Sequence, residues 1–175
     1  MDKHDEVDRV VAAWRTQRPD FDVEPLEIFS RFLRVNRHFT KLRKAVYARH
    51  GLETWEFEML AALRRDPAHI LTAGQLMKDT FVSSGTITNR IDRMQDRGLV
   101  KRKSAPDDGR VVRVAATKKG LTAVDEAMGD LLEVEREILA QFTGDQNEMA
   151  AGYLRDVLLA LVDLSSAPAK AGAGK

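Results

Sequence analysis

The chain has 175 residues, 43 % of them hydrophobic and 31 % charged, with a formal net charge of +1. That mix supports a globular core and an interface. The absence of cysteine removes disulfides, thiol redox chemistry and cysteine–zinc sites, and 6 % aromatic content argues against a carbohydrate cleft or a stacking platform for single strands.

His4, His38, His50 and His69 are scattered without metal-ligand spacing, so no metal and no cofactor are expected. The sequence has no apolar run near the ~18 residues that cross a bilayer, and MDKHDEVDRVV has no signal-peptide core; a cytoplasmic location with no membrane partner follows as the expectation. The near-neutral total conceals an asymmetry. Residues 83–113 hold eight basic and four acidic residues, a net of +4, whereas 121–164 hold two basic and ten acidic, a net of −8. A basic middle and an acidic C-terminal third suit a protein that offers one face to a polyanion.

Taken in chain order, Val7, Val10, Val11 and Trp14 recur at helical spacing and predict a short helix over about 5–17, broken by Arg18-Pro19-Asp20. A long helix follows from about Pro25 to Arg49, with Phe29, Phe32, Leu33, Asn36, Phe39, Leu42 and Val46 on one stripe and Gly51 as its left-handed end. Thr54 reads as the N-cap of a third helix that stops before Pro67. Ile70-Leu71 is a short extended piece, Thr72 caps a short helix, Phe81-Val82 is a turn, and Ser83-Ser84-Gly85 opens a helix running to Arg97, stopped by Gly98. LVKRKSA and RVVRVAAT, separated by Pro-Asp-Asp-Gly, read as a hairpin to which Ile70-Leu71 adds a third strand. Lys118-Lys119-Gly120 is a junction, after which Leu121 to about Phe142 and Asp145 to about Leu164 read as two helices, and SSAPAKAGAGK as a disordered tail.

The order is five helices, a hairpin, then two helices: a mainly α fold with a small β-hairpin wing. Its functional unit is Thr72 to Val114, in which two short helices joined by a tight turn form a helix-turn-helix. The second helix, SSGTITNRIDRMQDRG, carries small hydroxyl residues (Ser83, Ser84, Thr86, Thr88) that let it sit deep in a major groove. Asn89 suits adenine and Arg90 suits guanine by bidentate pairing. Free N–H groups at Ser83-Ser84-Gly85 can hold a phosphate, and Arg93 and Lys103 complete the basic contacts. Arg110 at the hairpin tip can enter a minor groove. Ile87, Ile91 and Met94 form the opposing core face. The Ser83-Ser84 pair has no Gly-x-Ser-x-Gly elbow and no nearby histidine, so no enzyme is expected.

At these residues the chain resembles the multiple-antibiotic-resistance regulator (MarR) family. The resemblance rests on Asn89-Arg90, Asp92-Arg93-Met94, Arg97-Gly98-Leu99-Val100, Pro106-Asp107-Asp108-Gly109-Arg110 and Thr117-Lys118-Lys119-Gly120, and covers about Pro25 to Leu164. Gly109 departs from the arginine frequent at that wing position. The resemblance implies a homodimeric winged helix-turn-helix regulator that binds a palindromic DNA operator. It divides the chain into an extra N-terminal helix (1–20), a dimerisation helix (21–51), the winged helix-turn-helix (52–117), C-terminal dimerisation helices (118–164) and a tail (165–175). The apolar stripes agree, since they exceed what a small winged domain buries alone.

The segment DRVVAAWRTQRPDFD further resembles the added helix of the family's urate-responsive branch. That resemblance assigns a ligand site to Trp14, Glu58, Arg90 and Arg102, with Glu58 standing where aspartate is usual. Two guanidinium groups can pair with an anion while an indole face stacks on a flat ring. Urate, xanthine and polycarboxylates such as aconitate or citrate all fit that chemistry, and Arg90 serves DNA, ligand or both. The competing reading is an architectural DNA-binding protein without a small-molecule signal.

Overall fold

The computed structural model describes residues 4–104 and 112–166. The expected wing tip, Arg110 included, and the tail beyond Ser166 lie outside the described residues. Seven helices and three strands follow in the order α1 (Glu6–Gln17), α2 (Glu24–Arg49), α3 (Thr54–Arg65), β1 (Ile70–Thr72), α4 (Ala73–Asp79), α5 (Ser84–Asp96), β2 (Val100–Ser104), β3 (Val112–Ala116), α6 (Lys118–Leu139) and α7 (Gly144–Ser166). The mainly α architecture with a small antiparallel sheet is the expected one. Among the described residues no helix is long and apolar enough to cross a membrane.

The chain packs as two units, one ending at Leu131 and the other starting at Leu132. The core of the first is formed by Tyr47, Met59, Leu60, Leu63, Leu76, Ile91, Met94, Leu99, Val114 and Val124, each almost fully buried. Burying each of the larger side chains contributes about 2 kcal/mol. Tyr47 and Phe57 stack with ring centroids 4.0 Å apart, joining α2 to α3. A smaller cluster of Val7, Val11 and Val23, flanked by Leu26, fastens α1. Arg31 of α2 reinforces it by donating to Asp5 (2.8 Å) and Asp8 (2.6 Å), and its guanidinium holds the Asp5 carboxyl below the usual carboxylate range.

The sheet order is β1–β3–β2, all antiparallel. Ile70 pairs with Ala115 and Thr72 with Arg113, so the extended Ile70-Leu71 piece does add a third strand to the hairpin. Thr72 caps α4, its hydroxyl accepting the Gln75 N–H at 3.1 Å while the Gln75 side chain accepts from the Thr72 N–H at 2.8 Å.

Three boundaries differ from expectation. The N-cap of α3 is Glu53, not Thr54: the Glu53 carbonyl accepts from the Glu56 and Phe57 N–H groups, and the Glu56 carboxylate returns to the Glu53 N–H at 2.9 Å. Helix α6 begins at Lys118, because the Thr117 hydroxyl accepts the Gly120 N–H at 3.1 Å and turns Lys118-Lys119-Gly120 into a first helical turn. Ser165 and Ser166 belong to the last turn of α7 rather than to a tail.

Helices α2, α4 and α5 end in one motif. The N–H of Leu52, Val82 and Leu99 reaches back five residues to Tyr47, Met77 and Met94, and the residue before each sits in the left-handed region. Those residues are Gly51 (φ 66°), Phe81 (φ 52°) and Gly98 (φ 70°).

Unit two consists of the end of α6 and α7. None of the α7 residues is buried, and Tyr153, Leu154, Leu158, Leu161 and Val162 are all exposed. The N-terminal part of the α2 stripe is likewise uncovered, with Phe29, Phe32 and Leu33 exposed while Val46 is buried.

Candidate nucleic-acid interface

Helix α5 is amphipathic by construction. Ile87, Ile91 and Met94 are buried against the core, which turns Ser84, Thr86, Thr88 and Asn89 outward into solvent. Ser83 caps the helix, its hydroxyl lying 3.0 Å from that of Thr86. The Thr88 hydroxyl donates to the Ser84 carbonyl at 3.2 Å. The outer face is therefore low in profile, as the run of small residues predicts.

Beside that face, and sharing Thr86 and Asn89 with it, lies a cleft of about 420 Å³ lined also by Trp55, Gly85, Arg90 and Arg93. The guanidinium carbons of Arg90 and Arg93 stand 5.3 Å and 5.0 Å from the Trp55 ring centroid, within cation–π range. Glu53 organises the group: it accepts from the Trp55 indole N–H at 2.7 Å and from Arg93 at 3.0 Å. The indole hydrogen bond, followed by the Arg93 charge, holds the Glu53 carboxyl below its usual range. Arg90 differs from Arg93, since its buried Nη1 has no hydrogen-bond partner.

A second tether joins α5 to α3. Glu56 is the one charged residue in the buried set, with 0 % exposure among the described residues. Its Oε2 accepts from Arg97, whose other terminal nitrogen donates to the Gly51 carbonyl at 2.6 Å. On the strand side Arg102 of β2 pairs with Asp92 of α5 at 2.5 Å. Lys103 on β2 is exposed.

Of the sequence-predicted residues, the structure therefore brings Thr86, Asn89, Arg90 and Arg93 to one cleft, with Ser83, Ser84 and Thr88 on the same helix. Trp14 stacks on Phe21 at 6.4 Å and lines two clefts beside α1, neither of which includes Glu58, Arg90 or Arg102. Glu58 is exposed and makes no hydrogen bond or ion pair with the described residues. Sequence reasoning missed Glu53, Trp55, Glu56 and Arg97. The only available signal was the i,i+4 spacing of Arg93 and Arg97, which places two guanidinium groups on one face of α5. Among the described residues no cluster of histidine and carboxylate side chains is arranged to hold a metal.

A helix-turn-helix whose second helix exposes small polar residues and whose hairpin is closed by a third strand defines a winged helix-turn-helix module. Residues 50–111 match the model of the MarR family. The transcriptional regulator PecS of Dickeya dadantii is 30 % identical over 147 residues, covering 83 % of this chain and 89 % of PecS. Among solved structures, AbsC, a MarR family transcriptional regulator from Streptomyces coelicolor, superposes with a TM-score of 0.70 at 20 % identity, over 82 % of this chain and 98 % of AbsC. The DNA complex of MepR from Staphylococcus aureus gives 0.68 at 16 % identity, over 76 % of this chain and 97 % of MepR. The chain belongs to the MarR family of winged helix-turn-helix transcriptional regulators. It is a regulator, not an enzyme.

Proposed function

We propose that this protein regulates transcription as a homodimer that reads a palindromic duplex with α5 and is released from it by a small anion. The observation that carries the DNA reading is the outer face of α5, where Thr86 and Asn89 are solvent-exposed on a helix fixed from behind by buried Ile87, Ile91 and Met94. An exposed asparagine beside small threonines presents a bidentate donor–acceptor pair to an adenine edge. The MepR complex, of the same fold, was solved with DNA.

A duplex selected by the protein from a random library tests this reading. Asn89→Ala is expected to weaken binding about fivefold to 150-fold for each half-site, as loss of about 1–3 kcal/mol per bidentate contact requires, and to relax preference at one base pair per half-site. Binding by the variant at wild-type affinity and specificity removes Asn89 from the readout. A duplex without two-fold symmetry, coated without sequence preference, points to the architectural role instead.

The exposed apolar residues of α2 and α7 support the dimer, because so much uncovered leucine and phenylalanine is unusual on a monomer. Sedimentation is expected to give twice the 19.6 kDa chain mass at micromolar concentration. A monomer there overturns the assignment.

For the ligand, the unpartnered Nη1 of Arg90 supports an anion partner, and urate is the first choice. Trp14, Glu58, Arg90 and Arg102 are its proposed residues, with Glu58 repelling the bound anion and shifting α5. Urate must bind the DNA-free state more tightly to act in this way. Fluorescence anisotropy of the complex during a urate titration is expected to report release, with Trp14→Ala still binding DNA but insensitive to urate. Release by citrate or aconitate and not by urate selects the polycarboxylate class.

A further inference from the structure

Three helices of the first unit end in the same left-handed motif, and two of them place glycine at its left-handed position. Glycine belongs there because it has no Cβ to clash. The third, at the end of α4, places Phe81 in that position with φ 52°. A bulky side chain is disfavoured in this region of backbone space. Packing does not compensate, because Phe81 is 96 % exposed, the highest value among the exposed large apolar residues described. The neighbouring Val82 is half-buried, and its N–H bonds to the Met77 carbonyl at 3.2 Å. The fold thus carries an aromatic ring in a costly conformation, in water, at a position where glycine serves twice elsewhere.

The location narrows what the ring meets. Phe81 lies two residues before Ser83, the N-cap of α5. In a helix-turn-helix the N-terminal end of the second helix is the end brought to the base edges. The one apolar group that duplex DNA shows in its major groove is the thymine C5-methyl, and phenylalanine is among the side chains that read it. We propose that Phe81 reads a thymine methyl beside the base pairs addressed by α5, so that the turn adds one T-specific position to each half-site. This rests on the DNA reading given above.

The test uses the full chain and the duplex it selects from a random library, with each thymine replaced in turn by uracil, which removes only the methyl. For the wild type, a T→U change in one half-site is expected to weaken binding about fourfold, the value of one buried methyl-sized group, and the change in both half-sites about 15-fold. Phe81→Gly, which removes both rings of the dimer, is expected to lose about 15-fold on the thymine duplex and to be indifferent to uracil at that position. Phe81→Leu, which keeps an apolar side chain, is expected to retain the dependence. Folding is not at risk, since relief of the left-handed strain is expected to raise the Tm of Phe81→Gly by roughly 2–4 °C. Equal binding by wild type and Phe81→Gly on both duplexes overturns the proposal. So does a loss in Phe81→Gly that is identical on thymine and uracil, or one that appears only as dimer dissociation. Failure of the wild type to select any duplex overturns the DNA reading itself, and this proposal with it.

Discussion

Arg97→Ala is expected to destabilise the fold by about 3 kcal/mol. Glu56 is fully buried, its Oε1 has no partner, and its Oε2 is held by Arg97 and by the Glu53 N–H. Removing one member of a buried pair leaves an uncompensated charge, at a cost of about 3–5 kcal/mol. The Arg97 side chain is 44 % exposed, so water reaches the site once the guanidinium is gone, and the lower end of that range applies. The loss also frees the Gly51 carbonyl. Urea unfolding measures the effect directly; a change below about 0.5 kcal/mol, the level of an ordinary surface substitution, would show that the pair contributes nothing. Because Arg97 caps the C-terminal end of α5, the same variant is expected to bind DNA more weakly even where it is fully folded.

The second large effect comes from a residue type whose replacement in a helix ordinarily helps. A Cβ on Gly120 would stand 2.2 Å from the Leu99 carbonyl oxygen and 3.0 Å from Leu60 Cδ2. The first of these is backbone at the start of the wing and cannot rotate away. Gly120→Ala is therefore expected to cost about 3 kcal/mol, at the upper end of overpacking penalties. Gly129 lies in the same helix and a Cβ there meets nothing within 4 Å. Gly129→Ala is expected to stabilise by about 0.5–1 kcal/mol through helix propensity. Opposite signs from one substitution in one helix isolate the close approach as the cause. Destabilisation by both variants would instead implicate the helix as a whole.

The elements were legible where a local signal encodes them. Gly51 and Gly98 stop helices because a left-handed residue is needed within a few positions, and Thr72 and Ser83 start them by the same short-range logic. The β-branched residues of the two extended segments and the Pro-Asp-Asp-Gly between them marked the hairpin, and the short Ile70-Leu71 piece its third strand. The start of α6 was hidden because Gly120 reads as a breaker, while its real constraint is contact with Leu99 far away in the chain. Glu56 was hidden for the same reason: nothing around it in sequence marks a glutamate as fully buried, and its partner arrives from the other end of the helix-turn-helix. Thr54 looked like a cap because its hydroxyl is a common one, yet Glu53 and Glu56 take that role between them. At the site, the outward face of α5 followed from its apolar period. Trp55 could not be read as the surface under Arg90 and Arg93, because the approach of α3 to α5 is a tertiary fact.

The strand order has a consequence for how the molecule comes into being. Among the described residues β3 is the last strand and the middle strand of the sheet, and the pairings of β1 and β2 both run through it. The Ile70–Ala115 pairing closes a loop that contains α4, α5 and β2. Loop-closure entropy must be met before such a non-local contact is rewarded, so β1 pairs late, onto a β2–β3 hairpin whose own contacts are local. A nascent chain that has not yet emerged as far as Ala116 lacks the complete sheet, and α5 is then tethered through α3 and α4. A chain released before β3 would thus carry α5 without the sheet that completes its scaffold.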